Sequence, residues 1–232
     1  VRDRILCGNL RLRGVGAEWA AFPAWRMFER GGVRVAVIGM TSSYNRNWLW
    51  GNVAAAFETR LAMQALTEVI QEIRDAEPDV TILGIHQGWL PRDSRQVNEV
   101  AQIAKSFPEI DLILGGHTHW GHAGRRIGRR TWYVQADKHA NVLGVVRVTV
   151  DPGKGEVLEI ASELLPADGA VEEHPRCRKR IAGHLEEMVR AGNQVVGRMS
   201  SAVPAGSAPG VNSATSELIS RALAQATGVD VV

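Results

Sequence analysis

Two short apolar segments, separated by a helical pattern, each lead directly into histidines, and this repetition constrains the fold more than any other feature. Asp79–Ile85 is a β-branched run that ends at His86. Ile110–Leu114 is a second compact run, and it continues through two glycines into His117. Ser94–Phe107 lies between them with helical periodicity, and the order strand, helix, strand favours a layered sheet. We therefore predict an α/β fold in which two neighbouring strands deliver histidines to one edge.

The same kind of pattern predicts the remaining elements. Apolar stretches on either side of Gly31 and Gly32 predict a β-hairpin, because glycine pairs supply the positive φ of a tight turn. Apolar residues at helical spacing predict a long amphipathic helix over Ala54–Ala76. Other predicted strands are Ile5–Leu10, a meander of Thr131–Gln135, Val142–Val150 and Val157–Leu164, and Val195–Ser200; other predicted helices are Asp168–Ala191 and one that runs from Asn212–Glu217 to Ala226, before Gly228.

Composition excludes several classes of protein. The chain carries 27 Lys and Arg against 25 Asp and Glu, and this formal charge of +2 does not favour a nucleic-acid polymer as partner. No stretch reaches the roughly 20 apolar residues that span a membrane. Cys7 and Cys177 are too far apart to suggest a disulfide framework or a thiolate zinc cluster.

His86, His117 and His119 are the candidate metal ligands. In proteins with open α/β sheets, bound ligands lie at the carboxyl ends of the strands. Neutral imidazole commonly binds Zn, Fe, Mn or Co. One His-x-His pair is weak evidence on its own, because loop histidines often have ordinary contacts. Three histidines in matched positions after strands favour metal binding over that alternative.

Several neighbouring residues are candidates for contacts with a ligand ring or with substrate. His122 could be a fourth ligand or a phosphate contact, and Asp137 or His139 could orient a ligand ring. Trp89 follows His86 closely and offers an indole on which a base can stack. Each also has a plain alternative, a solvated loop or packing between layers. The same holds for an arginine cluster that brackets Gly128 in a second predicted hairpin and could steer an anionic substrate or solvate the turn: Arg125, Arg126, Arg129 and Arg130.

The chain resembles the calcineurin-like metallophosphoesterases, specifically the group that contains 5′-nucleotidases, UDP-sugar hydrolases and 2′,3′-cyclic-nucleotide phosphodiesterases. The strongest match is the Gly-Gly-His-Thr-His block of Ile110–His119. Further matching blocks are Leu6–Leu10, Phe22–Trp25 with Gly32–Thr41, Ile85–Gly88, Val134–Ala136, Leu143–Gly144 and Ser216–Ile219. The resemblance therefore covers nearly the whole chain.

The resemblance implies a four-layer α/β/β/α sandwich that is truncated at its N-terminus. Residues 1–165 would be the partial metallophosphoesterase domain, residues 166–211 a helix and linker, and residues 212–232 the start of a C-terminal α/β domain. The linker prediction rests on the Pro, Gly, Ser and Ala content of Ala202–Val211. Because the chain lacks an initial Met and ends in a strand-like Val229–Val232, we interpret both ends as truncations.

The resemblance also implies a chemistry. Two divalent metal ions, with His86 and His117 on one and His119 on the other, would activate water to hydrolyse a small phosphate ester such as a nucleotide. The family's other ligand blocks and its catalytic Asn-His would lie upstream of Val1, so no catalytic residue is assigned and the chain alone is expected to be inactive. A periplasmic or secreted location is implied. The alternatives are a thiosulfohydrolase-type relative and a non-catalytic remnant of the fold.

Overall fold

The structure is a computed structural model that describes residues 4–13, 22–45, 51–90, 97–203 and 213–228. The chain divides into two compact units, Val1–Val171 and Glu172–Val232. Strands of the first unit are β1 (Leu10–Leu12), β2 (Trp25–Arg30), β3 (Val33–Met40), β4 (Phe57–Thr59), β5 (Val80–Ile85), β6 (Leu112–Leu114), β7 (His122–Ile127), β8 (Thr131–Gln135), β9 (Val142–Asp151) and β10 (Glu156–Pro166). Its helices are α1 (Gly51–Ala56), α2 (Ala62–Asp75) and α3 (Val100–Ser106).

A mixed sheet with the strand order β2, β3, β5, β6, β8, β7 forms the centre of the first unit. β3, β5, β6 and β8 run parallel, whereas β2 and β7 are antiparallel strands at the two edges. Parallel neighbours require crossovers, and α2 and α3 lie in the crossovers from β3 to β5 and from β5 to β6. The carboxyl ends of β5 and β6 consequently meet at the same edge of the sheet. The predicted α/β fold class is confirmed.

One hydrophobic core joins the helices to the sheet. α2 has a strongly amphipathic sequence, and its buried face includes Leu66 and Ile73. These side chains pack in the same cluster as Ile38, Leu83 and Ile113 of the parallel strands, all of which are fully buried. Burial of each large aliphatic side chain stabilises the fold by about 1.5–3 kcal/mol. The core therefore fixes the two strands that precede the histidines.

Two predicted hairpins are present. β2 and β3 pair in antiparallel register around Gly31 and Gly32, whose φ angles of 57° and 78° only glycine adopts readily. β7 and β8 pair around Gly128, which has φ 61°, so the arginine cluster lies on this second hairpin. Both turns depend on local backbone chemistry, which explains why the sequence predicts them.

The predicted meander is wrong in its pairing. β8 is hydrogen-bonded to β6 on one side and to β7 on the other, so neither of its edges is free for β9. β9 pairs with β10 in a separate two-stranded sheet. This sheet contacts the β7–β8 hairpin through Ser162, whose hydroxyl accepts a hydrogen bond from Trp132 Nε1 at 2.9 Å and donates one to the carbonyl of Ala123.

Three other predicted boundaries are wrong. The helix predicted over Ala54–Ala76 is interrupted by β4, because residues 57–59 pair with β1 instead. The strand predicted at Ile5–Leu10 is irregular, since Cys7 N–H donates to Pro23 while Gly8 N–H donates to Gly39. The structure starts α3 at Val100, and residues 94–96 lie outside the described residues.

The second unit contains α4 (Pro175–Gly192) and α5 (Ala214–Thr227). α5 lies near its predicted position, whereas the start predicted for α4 at Asp168 is wrong, because the helix begins at Pro175. Ser213 caps α5 by accepting a hydrogen bond from Ser216 N–H at 3.1 Å, and Gly228 ends it with φ 68°. Val195–Ser200 is wrong as a strand: Val196 is 93% exposed, and the segment pairs with no strand in the described parts of the chain. No helix in the described residues is long and apolar enough to cross a bilayer.

Candidate metal and substrate site

The loops after β5 and β6 bring the first two candidate histidines to one edge of the sheet. His86 follows β5 directly, and its N–H donates to the carbonyl of Met40 at 3.1 Å, which extends the parallel pairing with β3. Gly116 N–H donates to the carbonyl of Gln87 at 3.0 Å, so the second loop is joined to the first. The predicted convergence of His86 and His117 follows from this pairing.

The rings of His86 and His117 lie side by side. Their centroids are 5.4 Å apart and their planes are inclined by 63°. Two imidazoles on one tetrahedral ion have centroids about 5 Å apart, given metal–nitrogen bonds of about 2.0–2.1 Å, so this pair fits a shared ion. The pKa of His117 is lowered mainly by burial and, to a smaller extent, by the charges of His86 and His119. The neutral imidazole that metals require is thereby favoured.

His119 lies in a different ring pair. Its ring lies beside that of His139, with centroids 5.8 Å apart and planes inclined by 57°. Over the described ranges, no three His, Cys, Asp or Glu side chains are close enough to hold one ion. A tetrahedral site has four donors, so an ion between His86 and His117 would need donors beyond this pair. The predicted ligand set of His86, His117 and His119 stays a prediction.

Three of these histidines have backbone conformations that are uncommon outside glycine. φ is 73° at His117, 59° at His119 and 56° at His139. Histidine tolerates this region better than most residues, but such conformations still carry strain and concentrate at functional sites. Three histidines with a positive φ lie in loops at one edge of the sheet, and this clustering supports a functional role for the loops.

Close glycine contacts hold the two histidine loops together. A Cβ on Gly88 would lie 2.2 Å from Thr118 Cγ2, and one on Gly116 would lie 3.2 Å from His86 Nδ1. A Cβ on Gly115 would lie 2.3 Å from the hydroxyl of Tyr133. Gly88 and Gly115 therefore permit an approach that any side chain would prevent, and Gly116 permits one that a side chain would make tight.

A buried carboxylate anchors the residue that follows His86. Glu99 is 7% exposed, and its carboxylate accepts hydrogen bonds from the N–H groups of Ala62 and Met63, each at 3.1 Å. It thus caps α2, which has no side-chain cap of its own. Gln87 donates to the same carboxylate at 3.0 Å and accepts from Glu99 N–H at 2.6 Å. These two hydrogen bonds between Gln87 and Glu99 fix the backbone next to His86.

The hydroxyl of Tyr133 makes a second anchor. It accepts from Trp89 N–H at 3.0 Å and donates to Gln135 Oε1 at 2.6 Å. The amide nitrogen of Gln135 in turn donates to the hydroxyl of Thr118, between the two histidines of the second loop, at 3.0 Å. Burial raises the pKa of Tyr133 to about 12, so the phenol remains a donor at neutral pH.

The other predicted residues lie around this edge in separate positions. His122 lies edge-on to Trp89 and Tyr133, with ring centroids 5.9 and 5.6 Å away. The pKa of His122 is lowered mainly by burial and, to a smaller extent, by the charge of Arg125. Asp137 is exposed beside Gly121 and makes no hydrogen bond or ion pair with a candidate histidine among the residues that the structure covers. The proposed roles of His122, Asp137, His139 and Trp89 stay predictions.

Sequence reasoning missed the anchoring residues. Gln87, Glu99, Tyr133 and Gln135 are all buried, and three of them are polar residues that a core position would otherwise disfavour. The signal that could have revealed Gln87 is its place between His86 and Gly88. Glu99 and Tyr133 carry no such signal, because only the folded chain brings them to the histidine loops.

Comparisons with known proteins connect this geometry to a family. No protein-family model matches the chain. A 5′-nucleotidase of Vibrio vulnificus is 26% identical over 102 residues, which cover 42% of this chain and 18% of that protein. The trifunctional nucleotide phosphoesterase YfkN of Bacillus subtilis is 28% identical over 172 residues, which cover 72% of this chain and 11% of that protein.

A solved structure shares the fold. The 5′-nucleotidase precursor of Thermus thermophilus matches with a TM-score of 0.72 and 18% identity, over 96% of this chain and 46% of that one. The chain thus spans less than a fifth of the two curated relatives and about half of this structure. Its α/β sheet matches the metallophosphoesterase fold. The chain is thus similar in sequence to a 5′-nucleotidase and to a nucleotide phosphoesterase, and it shares the metallophosphoesterase fold.

Proposed function

We propose that the protein to which this chain belongs hydrolyses small phosphate esters, with nucleotides as the substrate class. The observation that carries the proposal is the His86–His117 ring pair, 5.4 Å between centroids, at the carboxyl ends of two parallel strands. Its relatives are named 5′-nucleotidase and nucleotide phosphoesterase, which supports the same reaction class. Both the fold position and the donor type suit a hydrolytic metal site.

The histidines would bind divalent ions, and the other residues of the two loops would position the histidines. His86 and His117 would bind one ion and His119 a neighbouring one. Bound Zn, Mn, Fe or Co supplies Lewis acidity and an acidified water for attack on phosphorus. The chain's own contribution is preorganisation, because Glu99 and Tyr133 hold the loop that follows His86 through Gln87 and Trp89. The ions would need additional donors, so we expect no turnover from these 232 residues alone.

His117→Ala in the full-length protein tests the proposal. We expect the variant to lose metal and to lose about 100-fold or more of its activity on phenyl phosphate with Mn²⁺ or Co²⁺, because a ligand is removed. Metal content is measured by inductively coupled plasma mass spectrometry. His184→Ala is the matched control, because His184 is exposed on α4. Unchanged metal content and turnover in His117→Ala would remove this histidine from the site.

The proposal extends to the domain organisation and the location of the whole protein. Residues 1–165 would be part of the hydrolase domain, residues 166–211 a helix and linker, and residues 212–232 the beginning of a nucleotide-recognition domain. The full-length protein would be periplasmic or secreted, which fractionation of expressing cells tests. Release of sulfate rather than phosphate, or no release from any ester, would favour the thiosulfohydrolase and non-catalytic alternatives respectively.

A further inference from the structure

A β-bulge places two side chains of β7 against the loop that follows His86. His122 is opposite Gln135 and Arg125 is opposite Tyr133, so three steps on β7 match two steps on β8. Without the extra residue, His122 and Arg125 would lie on opposite faces of the sheet. With it, both contact Trp89.

Gly124 makes the bulge possible. Its φ is 143°, a conformation that residues with a side chain rarely adopt. A Cβ at this position would lie 2.0 Å from Ser162 Oγ and 2.7 Å from Trp132 Nε1. Bulges near active sites commonly redirect a side chain, and here the redirected side chain is that of Arg125.

The guanidinium of Arg125 lies over the indole of Trp89 and forms no ion pair among the described residues. Arg125 Cζ is 3.7 Å from the ring centroid of Trp89. Stacking fixes the plane of the guanidinium and leaves the N–H groups at its edge free to donate. Arg125 is exposed, and no carboxylate within the described residues forms an ion pair with it. By contrast, Arg130 on the same hairpin is paired with the buried Asp111.

The stacked pair adjoins the histidine loops. Trp89 N–H is bonded to Tyr133, and the preceding Gly88 is in contact with Thr118, between His117 and His119. His122 adds a ring nitrogen, Nε2, that is buried and has no hydrogen-bond partner among the described residues. A cation stacked on Trp89 and a buried ring nitrogen thus lie next to the loop that follows His86.

We propose that Arg125, stacked on Trp89, forms a second anion subsite that binds an additional phosphate group of the substrate, as in a nucleoside diphosphate. This inference rests on the proposed function, which it sharpens by naming the substrate class. A planar guanidinium with free edge donors matches the bidentate geometry of phosphate. Stacking on the indole reduces the conformational entropy that binding would otherwise cost.

Binding of inorganic pyrophosphate to the full-length protein, measured by isothermal titration calorimetry, tests the subsite without turnover. Arg125→Gln should weaken binding about 10-fold, the loss expected for a charge-assisted hydrogen bond. Trp89→Leu should weaken it less, and Arg125→Lys should retain only part of the affinity because lysine lacks the fork. Arg129→Gln is the matched control: it removes an exposed arginine of the same hairpin that forms no ion pair in the described structure.

Kinetics supply a second readout. Arg125→Gln should raise KM for a nucleoside diphosphate about 10-fold more than it raises KM for phenyl phosphate, which has a single phosphate. Equal effects of Arg125→Gln and Arg129→Gln would overturn the subsite, as would absent pyrophosphate binding. The subsite would also be overturned if Arg125→Gln weakened the binding of adenosine but not that of pyrophosphate, because the pair would then bind a base and not a phosphate group. Failure of the wild-type protein to hydrolyse any phosphate ester would instead contradict the proposed function, while calorimetry still decides the subsite.

Discussion

A single hydroxyl at the residue scale connects the two sides of the candidate site. Tyr133 is fully buried, and its hydroxyl joins the N–H of Trp89 to the side chain of Gln135. Gln135 continues the chain of hydrogen bonds to Thr118. Because buried polar groups are costly when they are left without partners, removal of this oxygen should affect several neighbours at once.

Tyr133→Phe should lower the free energy of unfolding by about 1–3 kcal/mol, because Trp89 N–H and Gln135 lose their partner. Urea denaturation measures the change. Tyr44→Phe is the control, since the structure gives the Tyr44 hydroxyl no hydrogen bond among the described residues and its loss should cost less. Equal stability of Tyr133→Phe and wild type would show that the bonded hydroxyl contributes nothing.

The same tyrosine predicts a dependence of stability on pH. Burial raises its pKa from 10.0 to about 12, so the folded state holds the phenolic proton more tightly than the unfolded state. Its contribution is fully present below pH 10 and is lost as the pH rises through about 12. In urea melts over this range, wild type should lose stability faster than Tyr133→Phe. Parallel losses in the two proteins would contradict the prediction.

The element scale shows how two loops of different strands become one site. β5 and β6 place the loops side by side, and contacts between glycines and the opposite loop set their distance. The sequence predicts the strands and the β2–β3 hairpin because apolar runs and glycine pairs act locally. It does not predict β4, because β4 exists through pairing with β1, which lies more than 40 residues earlier.

Gly88→Ala should disturb the site, whereas Gly84→Ala should not. An added Cβ would lie 2.2 Å from Thr118 at position 88 but 3.7 Å from Ile38 at position 84, which is an ordinary contact. We expect Gly88→Ala to cost about 1–3 kcal/mol of unfolding free energy and to reduce metal uptake by the full-length protein. Urea denaturation and metal analysis measure the two effects. Equal behaviour of the two variants would show that the loops adjust without cost.

At the scale of the whole molecule, the two units differ in how their helices are stabilised. α2 in the first unit buries five residues in the core: Ala62, Ala65, Leu66, Ile70 and Ile73. α4 in the second unit has an amphipathic sequence but buries none, and Met188 is 63% exposed. Most helical stability in proteins comes from packing of an apolar face, so the two helices should open at different free energies.

Hydrogen–deuterium exchange followed by mass spectrometry measures this difference. Peptides from α4 should exchange about as fast as an isolated helix, while peptides from α2 should be protected by the core. α3, which buries Val100, Ile103 and Ala104, serves as a second protected reference in the first unit. Protection of α4 equal to that of α2 would show that another part of the protein or a partner covers its apolar stripe.

The sequence by itself determined the strands that lead to His86 and His117 and the glycines beside them, because each of these depends on residues close together in the chain. Tertiary structure decided which side chains meet. It paired the ring of His119 with His139, brought Glu99 to Gln87, and turned Arg125 onto Trp89 through the bulge at Gly124. These contacts join separate segments, and no local pattern specifies which segments pack together.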